Sequence, residues 1–215
     1  MIEWGEVAVR AAYDVIADAY ADTYPSTEPE QRIDLAMVEH FTATLGSDPL
    51  VLDAGCGAGR MMPYLARLGC RVEGVDVTPG MVRRAQADHG EFPVHLGSLT
   101  ALPFAAGRFD GVFMWYSTIH GDDDELAIML SEAHRVLVVG GSLLVAFQTG
   151  DGLREVGQSI RERGFDVRMM RYHRSASVVA QALERSGLRV IASLDRAPVG
   201  SEADGQAVLI ARRHA

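Results

Sequence analysis

The chain contains no lysine. All 20 of its basic residues are arginine, which excludes Schiff-base chemistry and lysine nucleophiles. Cysteine is nearly absent: Cys56 and Cys70 are the only two and do not form a C-x-x-C pair. Neither a disulfide framework nor a redox motif is expected, and a reducing cytosol fits. Positive charge is outweighed, with 29 acidic residues against 20 basic ones and a formal net charge of −9. So acidic a chain lacks the basic face that nucleic-acid phosphates demand, although a few local arginines can still hold a small anion. Long apolar runs are missing too. The longest, residues 136–147, is interrupted by Gly140, Gly141 and Ser142 and is too short to span a bilayer. The opening MIEWGEVAVR has acids where a secretory leader would be basic, so the expectation is a cytoplasmic location with no membrane segment. The histidines are scattered without an H-E-x-x-H pair, and no G-x-S-x-G elbow occurs, so neither a metal site nor hydrolase chemistry is expected.

What remains is ordinary globular material, with 215 residues, 48% of them hydrophobic and 23% charged, enough to bury one substantial core. Apolar spacing predicts helices over residues 7–20 and 30–45. The pattern then alternates. Strands are expected over 50–55, 71–76, 92–97, 109–116 and 141–147, and helices over 61–68, 79–89 and 122–138. Asp122, Asp123 and Asp124 suit the start of the last helix, where acids complement the helix dipole. Strands apolar on both faces that alternate with helices predict a parallel sheet covered on both sides. A strand over 165–172, a helix over 177–186 and strands over 188–193 and 206–212 complete the chain, the last two as an antiparallel hairpin. The expectation is a single domain: a helical cap (1–46), a cofactor-binding core (47–150), and an acceptor-side segment with closing strands (151–215).

VLDAGCGAGR, residues 51–60, is the most informative stretch. An apolar strand runs into Gly55, Gly57 and Gly59, and a helix follows. Glycines there let the backbone turn sharply and approach a ligand. Asp53 stands at the strand end, where a carboxylate can hold an ammonium. The dinucleotide fingerprint G-x-G-x-x-G is not met, because the third glycine comes one position early and Arg60 takes its place. This favours a nucleoside ligand without a pyrophosphate. Asp76 ends the next strand, where an acid can accept hydrogen bonds from both ribose hydroxyls.

These features together resemble the class I S-adenosylmethionine-dependent methyltransferases. LDAGCGAG looks like their first motif, and EGVDVTPGMV (73–82) looks like the segment carrying their ribose-binding acid. GSLTALPFAAGRFDGVF (97–113) is similar to their third-to-fourth strand region. RVLVVGGSLLVAF (135–147) looks like their fifth strand, with Val139 in place of the usual proline. YDVIADAYADTY (13–24) resembles the Tyr-rich leader that many members place over the cofactor. WYSTIH (115–120) matches a small actinobacterial-type subgroup.

The resemblance implies a Rossmann-like α/β fold, a mostly parallel seven-stranded sheet with an antiparallel closing hairpin and N-terminal capping helices. It also implies S-adenosylmethionine as cofactor. Gly55, Cys56 and Gly57 would line its methionine part, Asp76 would hold the ribose, and Val77 and Met81 would pack on the adenine. Ser98 stands where relatives often place an acid for the adenine amino group, so that contact is weaker or comes from the Leu99 backbone. Tyr13 and Tyr20 would close over the sulfonium end. Arg32 can pair with the cofactor carboxylate or be a solvated surface residue. Trp115 lies on a strand running toward the site. His120, just past that strand, can take a proton from an acceptor or simply fix its turn. Arg171, His173 and Arg174 fall where the family commonly builds its acceptor pocket, so an anionic small-molecule acceptor is one reading and surface arginines the other. The competing readings of the whole chain are an NAD-dependent oxidoreductase and a non-catalytic nucleoside-binding module. Oligomeric state is not legible.

Overall fold

The computed structural model describes residues 5–214; residues 1–4 of the expected cap lie outside them. Two helices come first, α1 (Glu6–Thr23) and α2 (Arg32–Ala43). An alternating core follows: β1 (Leu50–Ala54), α3 (Met62–Arg67), β2 (Arg71–Asp76), α4 (Pro79–Asp88), β3 (Val94–Leu96), β4 (Phe109–Trp115), α5 (Asp123–Val136) and β5 (Leu137–Gln148). The chain continues through β6 (Gly152–Val156), α6 (Gln158–Arg161), β7 (Met169–His173), α7 (Ala176–Arg185), β8 (Leu188–Arg196) and β9 (Gln206–Arg213).

Seven strands form one sheet in the order β3-β2-β1-β4-β5-β9-β8. The first five are parallel, whereas β9 runs antiparallel to both β5 and β8. The apolar strands bury both faces. Leu52, Val112, Met114 and Leu143 pack beneath α5 and α7, while Val51, Phe113, Leu144 and Val208 pack beneath α2 and α3. α5 begins as its three aspartates lead one to expect. The Asp122 carboxylate accepts from the Glu125 N–H at 2.9 Å, and Glu125 accepts in return from the Asp122 N–H, a reciprocal cap that satisfies two orphan donors. No helix among the described residues is long and apolar enough to cross a membrane.

Two differences from the sequence expectation matter for the site. The strand expected over 165–172 is shorter, Met169–His173, and lies outside the main sheet, pairing antiparallel with β6. β6 escapes a reading by apolar alternation because four of its five residues are exposed. This ribbon serves as a floor for α1: Val167 and Met169 pack on Ala12 and Ile16. The second difference is β5, which starts at Leu137 rather than 141 and carries an irregularity where it passes Phe109 and Gly111 of β4.

The strand order reverses between β1 and β4, so connections leave in opposite directions and open a crevice above the carboxyl ends of these strands. α1 lies across that crevice.

Candidate active site

The crevice is a cleft of about 510 Å³. β1 delivers Asp53 to it, and the glycine loop forms one wall. Gly55 has φ 78°, and a Cβ there would stand 2.3 Å from Cβ of Ser117, so only glycine fits. Gly57 has φ 55°, and a Cβ on it would meet no protein atom within 4 Å, leaving the loop backbone bare toward the cleft. β2 ends in Asp76, whose Oδ2 accepts from the Gly57 N–H and Oδ1 from the Thr78 N–H, both at 2.9 Å. Burial raises the pKa of this carboxyl, and the two backbone donors oppose the rise. Asp53 has no such help. It is 2% exposed, and its Oδ2 has no hydrogen-bond partner. Burial pushes it up to about 7, with the positive Arg60 opposing and Asp76 reinforcing.

α1 closes the cleft from above. Tyr13 and Tyr20, two helical turns apart, pack edge to face with centroids 5.8 Å apart, and both line the cleft. The Tyr13 hydroxyl lies 3.0 Å from Nε2 of His120, and His120 Nδ1 lies 2.6 Å from the Met170 carbonyl. A carbonyl can only accept, so Nδ1 carries the proton, Nε2 is an acceptor and Tyr13 donates to it. Burial lowers the histidine's pKa and keeps it neutral. His120 is therefore engaged at both nitrogens. The expected uptake of an acceptor proton is not open to it in this arrangement, which instead ties α1 to β7 through the loop after β4.

Val77, Met81, Leu99, Cys56 and Trp115 also line the cleft, as does Arg171. Four expected residues do not. Arg32 is exposed in the first turn of α2, because the helix turns Asp34 rather than Arg32 inward. Ser98 is occupied by its own surroundings: its hydroxyl donates to Glu6 of α1 and accepts from the Thr100 N–H at 3.0 Å. His173 is buried beside Asp204, 3.2 Å from its Oδ2. Arg174 is spent on Asp123 and the Gly121 carbonyl, at 2.8 and 2.7 Å. It anchors α5 to the start of α7 and does not face a ligand.

The structure also brings in residues not expected from the sequence. Glu6 reaches the cleft beside Ser98 and supplies a carboxylate where position 98 lacks one. Glu30 lines the opposite end and pairs with Arg60 at 2.6 Å. Tyr116 adopts φ 56° at the end of β4, an unusual conformation for a bulky residue that turns the chain at the cleft. Gln148, Glu202 and Gln206 complete that end. Glu202 pairs with Arg196 at 2.6 Å, which also grips Asp34 of α2. Beside them Asp204 is shared by two guanidinium groups, Arg154 at 2.7 Å and Arg171 at 2.5 Å. Nε of Arg171 is buried without a partner.

Residues 51–141, which include the glycine loop, match a family model described as a methyltransferase domain. The chain is 31% identical over 152 residues to a malonyl-[acyl-carrier protein] O-methyltransferase of Pseudescherichia vulneris, covering 71% of this chain and 58% of that protein. It is 32% identical over 114 residues to the protein of the same name from Erwinia billingiae, covering 53% and 45%. The chain thus spans about half the length of these curated relatives. Among solved structures, the 1,6-didemethyltoxoflavin-N1-methyltransferase of Burkholderia thailandensis, with S-adenosylhomocysteine bound, superposes with a TM-score of 0.75 at 21% identity, covering 97% of this chain and 88% of that one. The [4+2]-cyclase SpnF superposes at 0.71 with 16% identity and 96% coverage of both. The shared fold alone therefore does not fix the reaction.

Proposed function

We propose that this chain, which carries a methyltransferase domain over residues 51–141, is a class I S-adenosylmethionine-dependent methyltransferase that methylates a carboxylate oxygen of a small acceptor, of the malonyl-thioester type named for its relatives. The placement in a small actinobacterial-type subgroup rests on WYSTIH alone.

The residues present fit the cofactor. Asp53 has a buried carboxylate oxygen awaiting a partner, which suits an amino-acid ammonium. The bare backbone at Gly57 leaves room for a ligand. Asp76 is held in place by two backbone N–H groups and has lone pairs left for ribose hydroxyls. Leu99, Val77 and Met81 offer an apolar slot for the adenine, with Glu6 at its edge. The match across the glycine loop sets aside the NAD-dependent reading. When bound, S-adenosylmethionine supplies a methyl group made electrophilic by its sulfonium.

The acceptor reading rests on Arg171. Asp204 is one carboxylate between two guanidinium groups, while Glu30 and Glu202 are matched by Arg60 and Arg196. Arg196 also holds Asp34, so these charges balance, and what is left over is a donor: Nε of Arg171 is buried without a partner. Arginine's planar fork can meet both oxygens of a carboxylate. Such an acceptor arrives with a free lone pair, so no residue has to remove a proton. This agrees with a His120 engaged at both nitrogens. The chain's own work is then alignment by Arg171 and exclusion of water by the tyrosines of α1, and alignment alone is worth effective molarities on the order of 10⁵–10⁸ M.

The test is turnover of malonyl-CoA with S-adenosylmethionine, read as methyl ester by mass spectrometry. Arg171→Gln should raise KM roughly 10- to 100-fold, as loss of a charge-assisted hydrogen bond implies. Affinity for S-adenosylhomocysteine should hold. Absence of methyl ester, or unchanged kinetics in the variant, refutes the reading.

A further inference from the structure

Three buried polar atoms at the far end of the cleft have no partner: Nε1 of Trp115, Oε1 of Gln148 and Oε1 of Gln206. Strand register brings them together. Trp115 lies opposite Ala146, and Gln148 lies opposite Gln206. Side chains alternate along a strand, so Gln148 shares a face with Ala146 and Gln206 with Val208. That is the face on which Trp115, Ala146 and Val208 pack together. All three side chains line the cleft, and Trp115 and Gln206 are only 7% and 6% exposed.

Their directions are set by the protein. The Trp115 ring stacks on Phe113, centroids 5.4 Å apart and planes within 4°, which fixes where its N–H points. Gln206 donates through Nε2 to the Asp204 carbonyl at 2.9 Å, so its oxygen is the free end. Arg196, beside Gln206 on β8, is committed to Asp34 and Glu202 and satisfies neither glutamine. Native proteins leave few buried polar atoms unpaired. Three on one wall, one donor and two acceptors without charge, mark a surface shaped for an uncharged ligand group.

We propose that Trp115, Gln148 and Gln206 form a subsite for an amide-bearing arm of the acceptor. Its carbonyl accepts from the Trp115 indole, and its N–H groups donate to the glutamine oxygens. The proposal deepens the carboxylate-thioester reading and rests on it for the choice of probe: the pantetheine arm of carrier and coenzyme thioesters contains amides, and Arg171 would hold the carboxylate at the other end.

Two measurements test it separately. In the first, pantetheine is titrated into ¹⁵N-labelled protein loaded with S-adenosylhomocysteine. The Trp115 indole resonance, identified by its loss in Trp115→Phe, should shift saturably. Gln148→Leu, shown folded by its bound S-adenosylhomocysteine, should weaken the titration about tenfold, the value of one hydrogen bond. A resonance unmoved by millimolar pantetheine overturns the subsite. In the second, malonyl-pantetheine is compared with S-ethyl malonyl thioester, which lacks the amides. The parent should prefer malonyl-pantetheine in kcat/KM, and the preference should fall about tenfold in Trp115→Phe and in Gln148→Leu. Equal use of both thioesters overturns the subsite and leaves carboxylate methylation standing. An indole shift without methylation of either thioester supports the subsite and overturns the carboxylate acceptor.

Discussion

Asp53→Asn should stabilise the ligand-free protein, by an amount set by pH. The carboxyl is almost wholly buried, and burial raises its pKa from 3.8 to about 7. The folded chain therefore keeps a proton on Asp53 that the unfolded chain releases near 3.8. For an acid with a raised pKa, this contribution to stability is fully present below the unfolded value and is lost as pH climbs through the folded one. Each pH unit in that window withdraws up to about 1.36 kcal/mol, roughly 4 kcal/mol in all. Asparagine keeps the shape and cannot ionise. Thermal unfolding without ligand should find the variant on the order of 10 °C more stable at pH 8, with the gap shrinking steadily toward pH 4.

Ligand should reverse the order. An ammonium beside Asp53 favours the ionised form and draws its pKa back down. S-adenosylhomocysteine should then bind the parent more tightly at pH 8 than at pH 6, whereas Asp53→Asn should bind weakly with little dependence on pH across that range. A stability difference independent of pH would falsify the assignment of Asp53 as a strained, ligand-seeking carboxylate. So would equal affinities for the ligand in both proteins.

Asp76→Ala should weaken S-adenosylhomocysteine by roughly 1.5–3 kcal/mol for each lost charge-assisted hydrogen bond, measured by titration calorimetry; unchanged affinity in the folded variant sinks the ribose assignment. Tyr13→Phe leaves the His120 acceptor buried and unpaired and should cost about 1–3 kcal/mol; an unaltered Tm would show that this bond does not hold α1. Bound S-adenosylhomocysteine should increase hydrogen-exchange protection of α1, and 1 M salt should reduce it, because Asp18 and Asp22 grip Arg83 and Arg84 of α4 through exposed ion pairs that salt screens. Protection insensitive to both ligand and salt would argue against a cap linked to the cofactor.

The core of the fold is legible because its signals are local. A glycine loop between an apolar strand and a helix, followed by an acid at the next strand end, needs no long-range information, and Asp53, Gly55, Gly57 and Asp76 all reach the cleft. The acceptor end is different. Gln148 and Gln206 are 58 residues apart and meet only because β9 inserts antiparallel between β5 and β8; nothing near either glutamine announces the other. Glu6 is likewise invisible until α1 is laid across the cleft. Arg171 and Arg174, three positions apart in one arginine-rich run, part company for a physical reason. β7 carries Arg171 into the cleft, while Arg174, past the strand end, turns to Asp123.

The acids of the cleft fall into two groups. At the cofactor end stand Glu6, Asp53 and Asp76, without a matched arginine among them, in a place suited to an ammonium, ribose hydroxyls and an adenine amino group. At the acceptor end the carboxylates Glu30, Glu202 and Asp204 are each held by arginine, and Asp204 by two. Arg196 also holds Asp34, so one end carries acids without an ion-pair partner and the other carries balanced pairs with one donor, Nε of Arg171, unpartnered. On the proposed reading, a carboxylate acceptor is disfavoured beside the unpaired acids of the cofactor's seat, and the unpartnered Nε of Arg171 offers it a donor. The proposed acceptor would then need no base: its carboxylate would be both the handle by which it is oriented and the source of the lone pair it brings to the methyl group.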